Sequence, residues 1–101
     1  RIVNQPIAKV DWDDCFHGEG PLTAVYSAGG KGVRLEMSEG LNWVQMFTPA
    51  DFPRAGGPGK ALAVEPMSAP PNALRSGEDL VRLSAQKPQR FTLRLAAENN
   101  N

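Results

Sequence analysis

A chain of 101 residues has room for one domain with one core. Eleven basic and eleven acidic side chains cancel, and neither sign forms a long run, so nothing marks an electrostatic footprint for nucleic acid or an anionic membrane. One cysteine, Cys15, and one histidine, His17, exclude an internal disulfide and a metal-ligand constellation as organising principles.

The chain opens on Arg1-Ile2-Val3, without a basic stretch and apolar core. No apolar run approaches the roughly 18 residues of a membrane span. A cytoplasmic location is therefore expected. The first residue is not Met and nothing before Asp11 resembles a domain start, so the chain is expected to be a piece of a longer protein.

With 10 Gly and 9 Pro, no apolar pattern of 3.6-residue period survives over a helical length. The elements read as strands. Residues 22–27 and 32–38 form a hairpin across Ala28-Gly29-Gly30-Lys31, whose glycines take positive φ without penalty. In the second run Val33, Leu35 and Met37 alternate with Arg34, Glu36 and Ser38, the period of a half-buried strand. Residues 42–48 supply a third strand, with Trp43, Gln45 and Phe47 on one face and Val44, Met46 and Thr48 on the other.

A loop over 49–60 leads to a short apolar strand, 61–64, which delivers Glu65 at its end. Pro66, Pro70 and Pro71 lack an N–H and fix φ, so regular pairing is expected to stop there. Residues 72–75 suit one helical turn, ended by Gly77 in a left-handed conformation. Strands are expected over 79–84 and 89–96. Residues 96–101 have little to bury and are expected to be a disordered tail, leaving 1–95 as the folded portion. The sum is six or seven antiparallel strands, and a β-sandwich is the simplest all-β architecture.

Among polar residues Glu65 has the setting of a general base: a carboxylate after four small or apolar residues and before a proline-locked loop. The plainer reading is a strand-end carboxylate that faces solvent or pairs with one of the arginines. Asp11, Asp13 and Asp14 surround Trp12, but their spacing does not fit a calcium loop. An aromatic ring among carboxylates suits carbohydrate, or else an acidic turn with Trp12 and Phe16 in the core. Cys15 and His17, two residues apart, are weak material for a nucleophilic pair. Gln45 lies among large apolar groups and needs a partner, from the backbone or from a ligand.

Three segments, WDDCF at 12–16, WVQMFTP at 43–49 and ALAVEPMSAPPNALRSGEDLVRL at 61–83, resemble in order and spacing the last third of bacterial aldose 1-epimerases. The resemblance implies a portion of the large antiparallel β-supersandwich of the galactose mutarotase type. It implies Glu65 as the base that takes the proton of the anomeric hydroxyl, with Asp13 and Gln45 against the sugar, and no cofactor. It also implies that the acid that protonates the ring oxygen lies outside these 101 residues, since His17 matches neither family histidine. The chain departs from the family at 84–88, Ser-Ala-Gln-Lys-Pro, where Pro-Gly-Glu is usual.

The expected substrate is an aldohexose, and the expected protein partner is a complementary chain or a second copy joined through edge strands. Two other functions fit: a sugar-binding β-sandwich without catalysis, and an epimerase of hexose 6-phosphates. The second lacks a visible arginine cluster for phosphate.

Overall fold

The computed structural model describes residues 3–99. After a 3₁₀ turn at Ile7–Lys9, the chain forms strands β1 (Asp13–His17), β2 (Thr23–Ala28), β3 (Lys31–Met37), β4 (Trp43–Phe47) and β5 (Ala63–Met67). The short helix α1 (Ala73–Ser76) follows, and then β6 (Leu93–Asn99). Every strand pairing is antiparallel, in two three-stranded sheets of order β1-β4-β5 and β2-β3-β6. The fold is an all-β sandwich.

The β2–β3 hairpin closes on Ala28↔Lys31, with Gly29 at φ 60 and Gly30 at φ 79. Two successive positive φ values let the turn follow the twist of the strands, and glycine alone takes them freely. Helix α1 ends at Gly77, at φ 76, whose N–H donates to the Ala73 carbonyl at 2.7 Å.

The structure differs from expectation in four places, the first being β1 itself, a strand over Asp13–His17 where an acidic turn was one reading, paired along its whole length with β4. Strand β5 does not stop at Glu65: Pro66 pairs with Val44 and Met67 with Trp43. β5 lies at an edge of its sheet, where one side of the backbone has no ladder to complete and proline is tolerated. Residues 79–84 form no strand: the Leu80 N–H turns back to the Gly77 carbonyl at 3.3 Å, the segment has only an isolated bridge, Ser84↔Lys87, and Asp79 sits at φ 52. The last strand begins at Leu93 and runs through Ala96–Asn99, where a disordered tail was expected. Lys31, Gly32, Val33 and Arg34 offer those residues a ladder, and Arg34 forms an ion pair with Glu98. Asn100 and Asn101 of that expected tail lie outside the described residues.

The core is small. Met37, Leu41 and Val44 are buried, and Phe16, Leu22, Ala24, Leu35, Met46 and Val64 pack against them, so residues from both sheets meet. Alternation explains the set: Phe16, Val44, Met46 and Val64 share the inner face of β1-β4-β5, while Ala24, Leu35 and Met37 share that of β2-β3-β6.

This inner face of β2-β3-β6 continues beyond its cover. Tyr26, Val33, Leu93 and Leu95 lie on it by register, yet Leu93 is 52% and Leu95 71% exposed. The radius of gyration is 15.7 Å, against about 13 Å for a compact domain of 100 residues. The chain presents 7754 Å² to solvent, where a folded monomer of this mass presents about 5,600 Å².

Candidate functional site

Strand alternation sorts the candidate residues by face. Asp13, Cys15 and His17 of β1, Trp43, Gln45 and Phe47 of β4, and Ala63, Glu65 and Met67 of β5 stand on the outer face of one sheet. The register aligns Cys15, Gln45 and Glu65 in one row, with His17, Trp43 and Met67 in the next. Directly opposed residues hold their Cβ atoms about 4.5–5.5 Å apart. Three segments far apart in the chain thus bring Asp13, Gln45 and Glu65 together on one surface.

Gln45 Nε2 donates to Asp13 Oδ1 at 2.8 Å, a diagonal contact across β1 and β4. The amide's other arm, Gln45 Oε1, is buried and has no hydrogen-bond partner among the described residues. Glu65 is exposed. It sits mid-strand, held by β4 pairing rather than by the rigidity of a loop. Cys15 is half-buried; loss of solvent pushes its thiol pKa up, and a backbone hydrogen bond at Val44 opposes that. A thiol held in its neutral form is a poor nucleophile at neutral pH, which speaks against a Cys15/His17 pair.

The aromatic surface of this face is not the one that WDDCF suggests. Trp12 meets Phe16 edge to face, with centroids 5.4 Å apart and planes at 71°, and its backbone pairs with Thr48. Its parity is that of Phe16 and the core, opposite to Asp13. The ring pair beside Gln45 is His17 stacked on Trp43, with centroids 4.2 Å apart and planes at 28°. Trp43 Nε1 donates to Asp79 Oδ2 at 2.9 Å, which orients the indole. His17 and Trp43 share parity with Asp13 and Gln45, so strict period-2 reading of both strands was the available signal. Asp79 had none, because it reaches the site through a loop.

The same alternation separates Asp13 from Asp14. Among the described residues no group of three His, Cys, Asp or Glu side chains converges as a metal site. No helix there is long and apolar enough to cross a membrane. A shallow hollow of about 330 Å³, lined by Lys31, Gly32, Ala97, Glu98 and Asn99, belongs to the other sheet.

No protein-family model matches the chain, and no solved structure does. Among curated proteins, the uncharacterized protein YihR of Escherichia coli (strain K12) is 50% identical over 49 residues. That match takes in 48% of this chain and 14% of the length of YihR.

Proposed function

We propose that these residues form the C-terminal portion of a cytoplasmic aldose 1-epimerase, with Glu65 as the proton-transferring base. The observation that carries the reading is the shared outer face of β1-β4-β5, where Gln45 is hydrogen-bonded to Asp13 and lies directly opposite Glu65. A sugar ring laid on this face meets a carboxylate that can take a proton and a second carboxylate that can accept from hydroxyls. The His17–Trp43 stack lies one row away and offers flat apolar surface to the C–H side of the ring.

Glu65 takes the proton of the anomeric hydroxyl while an acid from outside this chain protonates the ring oxygen. The ring opens, the C1–C2 bond rotates, and reclosure with the proton transfers reversed gives the other anomer. No net proton or electron is exchanged, so the chemistry needs no cofactor. The uncovered inner face of β2-β3-β6 supports a complementary polypeptide as partner, one that closes the sandwich and brings the acid. Hexose 6-phosphates remain a related substrate class.

Glu65 is exposed, the setting of an ordinary solvated carboxylate, which favours a second reading, a sugar-binding surface without turnover. Polarimetry decides between them: the complete protein is expected to accelerate equilibration of a pure aldohexose anomer, and residues 1–101 alone are not. Sugar binding without acceleration by the complete protein would sink the epimerase and leave the binding module.

A further inference from the structure

We propose that Gln45 is a positioning residue for the proton taken up by Glu65: its side-chain carbonyl accepts a hydrogen bond from the Glu65 carboxyl once that group is protonated. The inference rests on Glu65 as the base, and it gives Gln45 a task distinct from touching sugar. Asp13 Oδ1 is an acceptor, so the 2.8 Å contact fixes which arm of the amide faces it. The nitrogen is committed to Asp13. The carbonyl oxygen is left enclosed, with no donor among the described residues, and an enclosed acceptor without a partner is rare enough to need an explanation.

Two side chains stand directly opposite Gln45 on this face, Cys15 and Glu65. The Cys15 thiol lies 3.9 Å from the Phe16 carbonyl on its own strand. An ionised Glu65 has nothing to donate, whereas a protonated one has a single O–H. Directly opposed strand residues hold their Cβ atoms about 4.5–5.5 Å apart, a span that a glutamine and a glutamic acid side chain are long enough to bridge. In the step, the O–H bond of the anomeric hydroxyl breaks and one forms on Glu65, whose hydrogen then points at Gln45 Oε1. On reclosure the proton returns to the oxygen on C1. Gln45 neither gains nor loses a proton; Asp13 orients Gln45, and Gln45 orients the acid form of Glu65.

The test is a ¹³C NMR titration of the complete protein without sugar, labelled at the side-chain carbonyl carbons of Glu and Gln. The Gln45 resonance is expected to move in step with the protonation of Glu65, to lose that movement in Glu65→Ala, and to keep it in Cys15→Ala. In the anomerisation assay, Gln45→Leu is expected to lower kcat about tenfold while KM stays within about twofold. A Gln45 resonance that ignores Glu65 or follows Cys15 overturns the proposal. So does a Gln45→Leu variant that raises KM at unchanged kcat, which would make Gln45 a sugar contact only. A parental protein without anomerisation removes the epimerase reading instead, and the titration, read without sugar, still decides the pairing of residues 45 and 65.

Discussion

The two sheets have the same strand count and the same antiparallel pairing, yet opposite faces of them are finished. In β1-β4-β5 the inner face is covered, with Val44 only 6% exposed, and the outer face carries Asp13, Gln45 and Glu65. In β2-β3-β6 the outer face carries two cross-strand ion pairs, Arg34 with Glu98 and Arg94 Nη1 at 2.7 Å from Glu36 Oε1, while the inner face is half open. Leu35 packs on the core, and Leu95, its direct partner on β6, is 71% exposed. Both leucines obey the same alternation. Whether an apolar side chain is buried is therefore a property of what lies across from it, and alternation only makes it eligible.

The largest effect that can break this comparison is on the isolated chain. A sandwich with one inner face half open leaves little margin against the entropy of ordering, and its open edges seek partners. Residues 1–101 expressed alone are expected to associate or to be largely unfolded, as sedimentation will read. A compact, cooperative monomer of 10.9 kDa would show that the open face needs no cover.

Next is the outer face of the other sheet. Glu65→Gln in the complete protein keeps the shape and removes the base, and should lower turnover by about 10²-fold or more with sugar binding retained. Parental turnover in that variant makes Glu65 a structural residue.

A pair of core substitutions sharpens the contrast between the inner faces. Met37→Ala, at a side chain 3% exposed, should destabilise the complete protein by about 2–5 kcal/mol. If a complementary segment covers β6, Leu95→Ala in that protein should cost a similar amount. A loss within about 0.5 kcal/mol, the range of an ordinary surface change, leaves that face open to solvent.

The smallest effect separates neighbours in sequence. Asp13→Asn should weaken sugar affinity by about 1.5–3 kcal/mol, as for a hydrogen bond to a charged group. Asp14→Asn, on the opposite parity, should change it little. Equal losses in a calorimetric titration would mean that the two strand faces do not divide sugar contact as the register implies.

Much of the fold was legible in the residues. The hairpin at Gly29-Gly30, the two faces of residues 43–48 and the cap at Gly77 are local matters, decided within a few residues by φ preference and period. Glu65, Asp13 and Gln45 could each be singled out along the chain. The features that escaped depend on neighbours. Residues 79–84 alternate acceptably but have no strand beside them. Ala96–Asn99 look like a tail until Lys31, Gly32, Val33 and Arg34 offer them a ladder.

By itself, then, the sequence determined the strand periods, the turns and the all-β class, because these follow from backbone sterics and from hydrophobic alternation over short spans. Only the tertiary structure decided that β1, β4 and β5 lie side by side, which puts Asp13 against Gln45 and Gln45 opposite Glu65. It also decided that Trp43, stacked by His17 and held by Asp79, is the aromatic ring beside that cluster, and that Trp12 is not. Sheet pairing joins residues up to dozens of positions apart, and no local preference encodes which strands meet; that choice is made by the apolar faces they bury together.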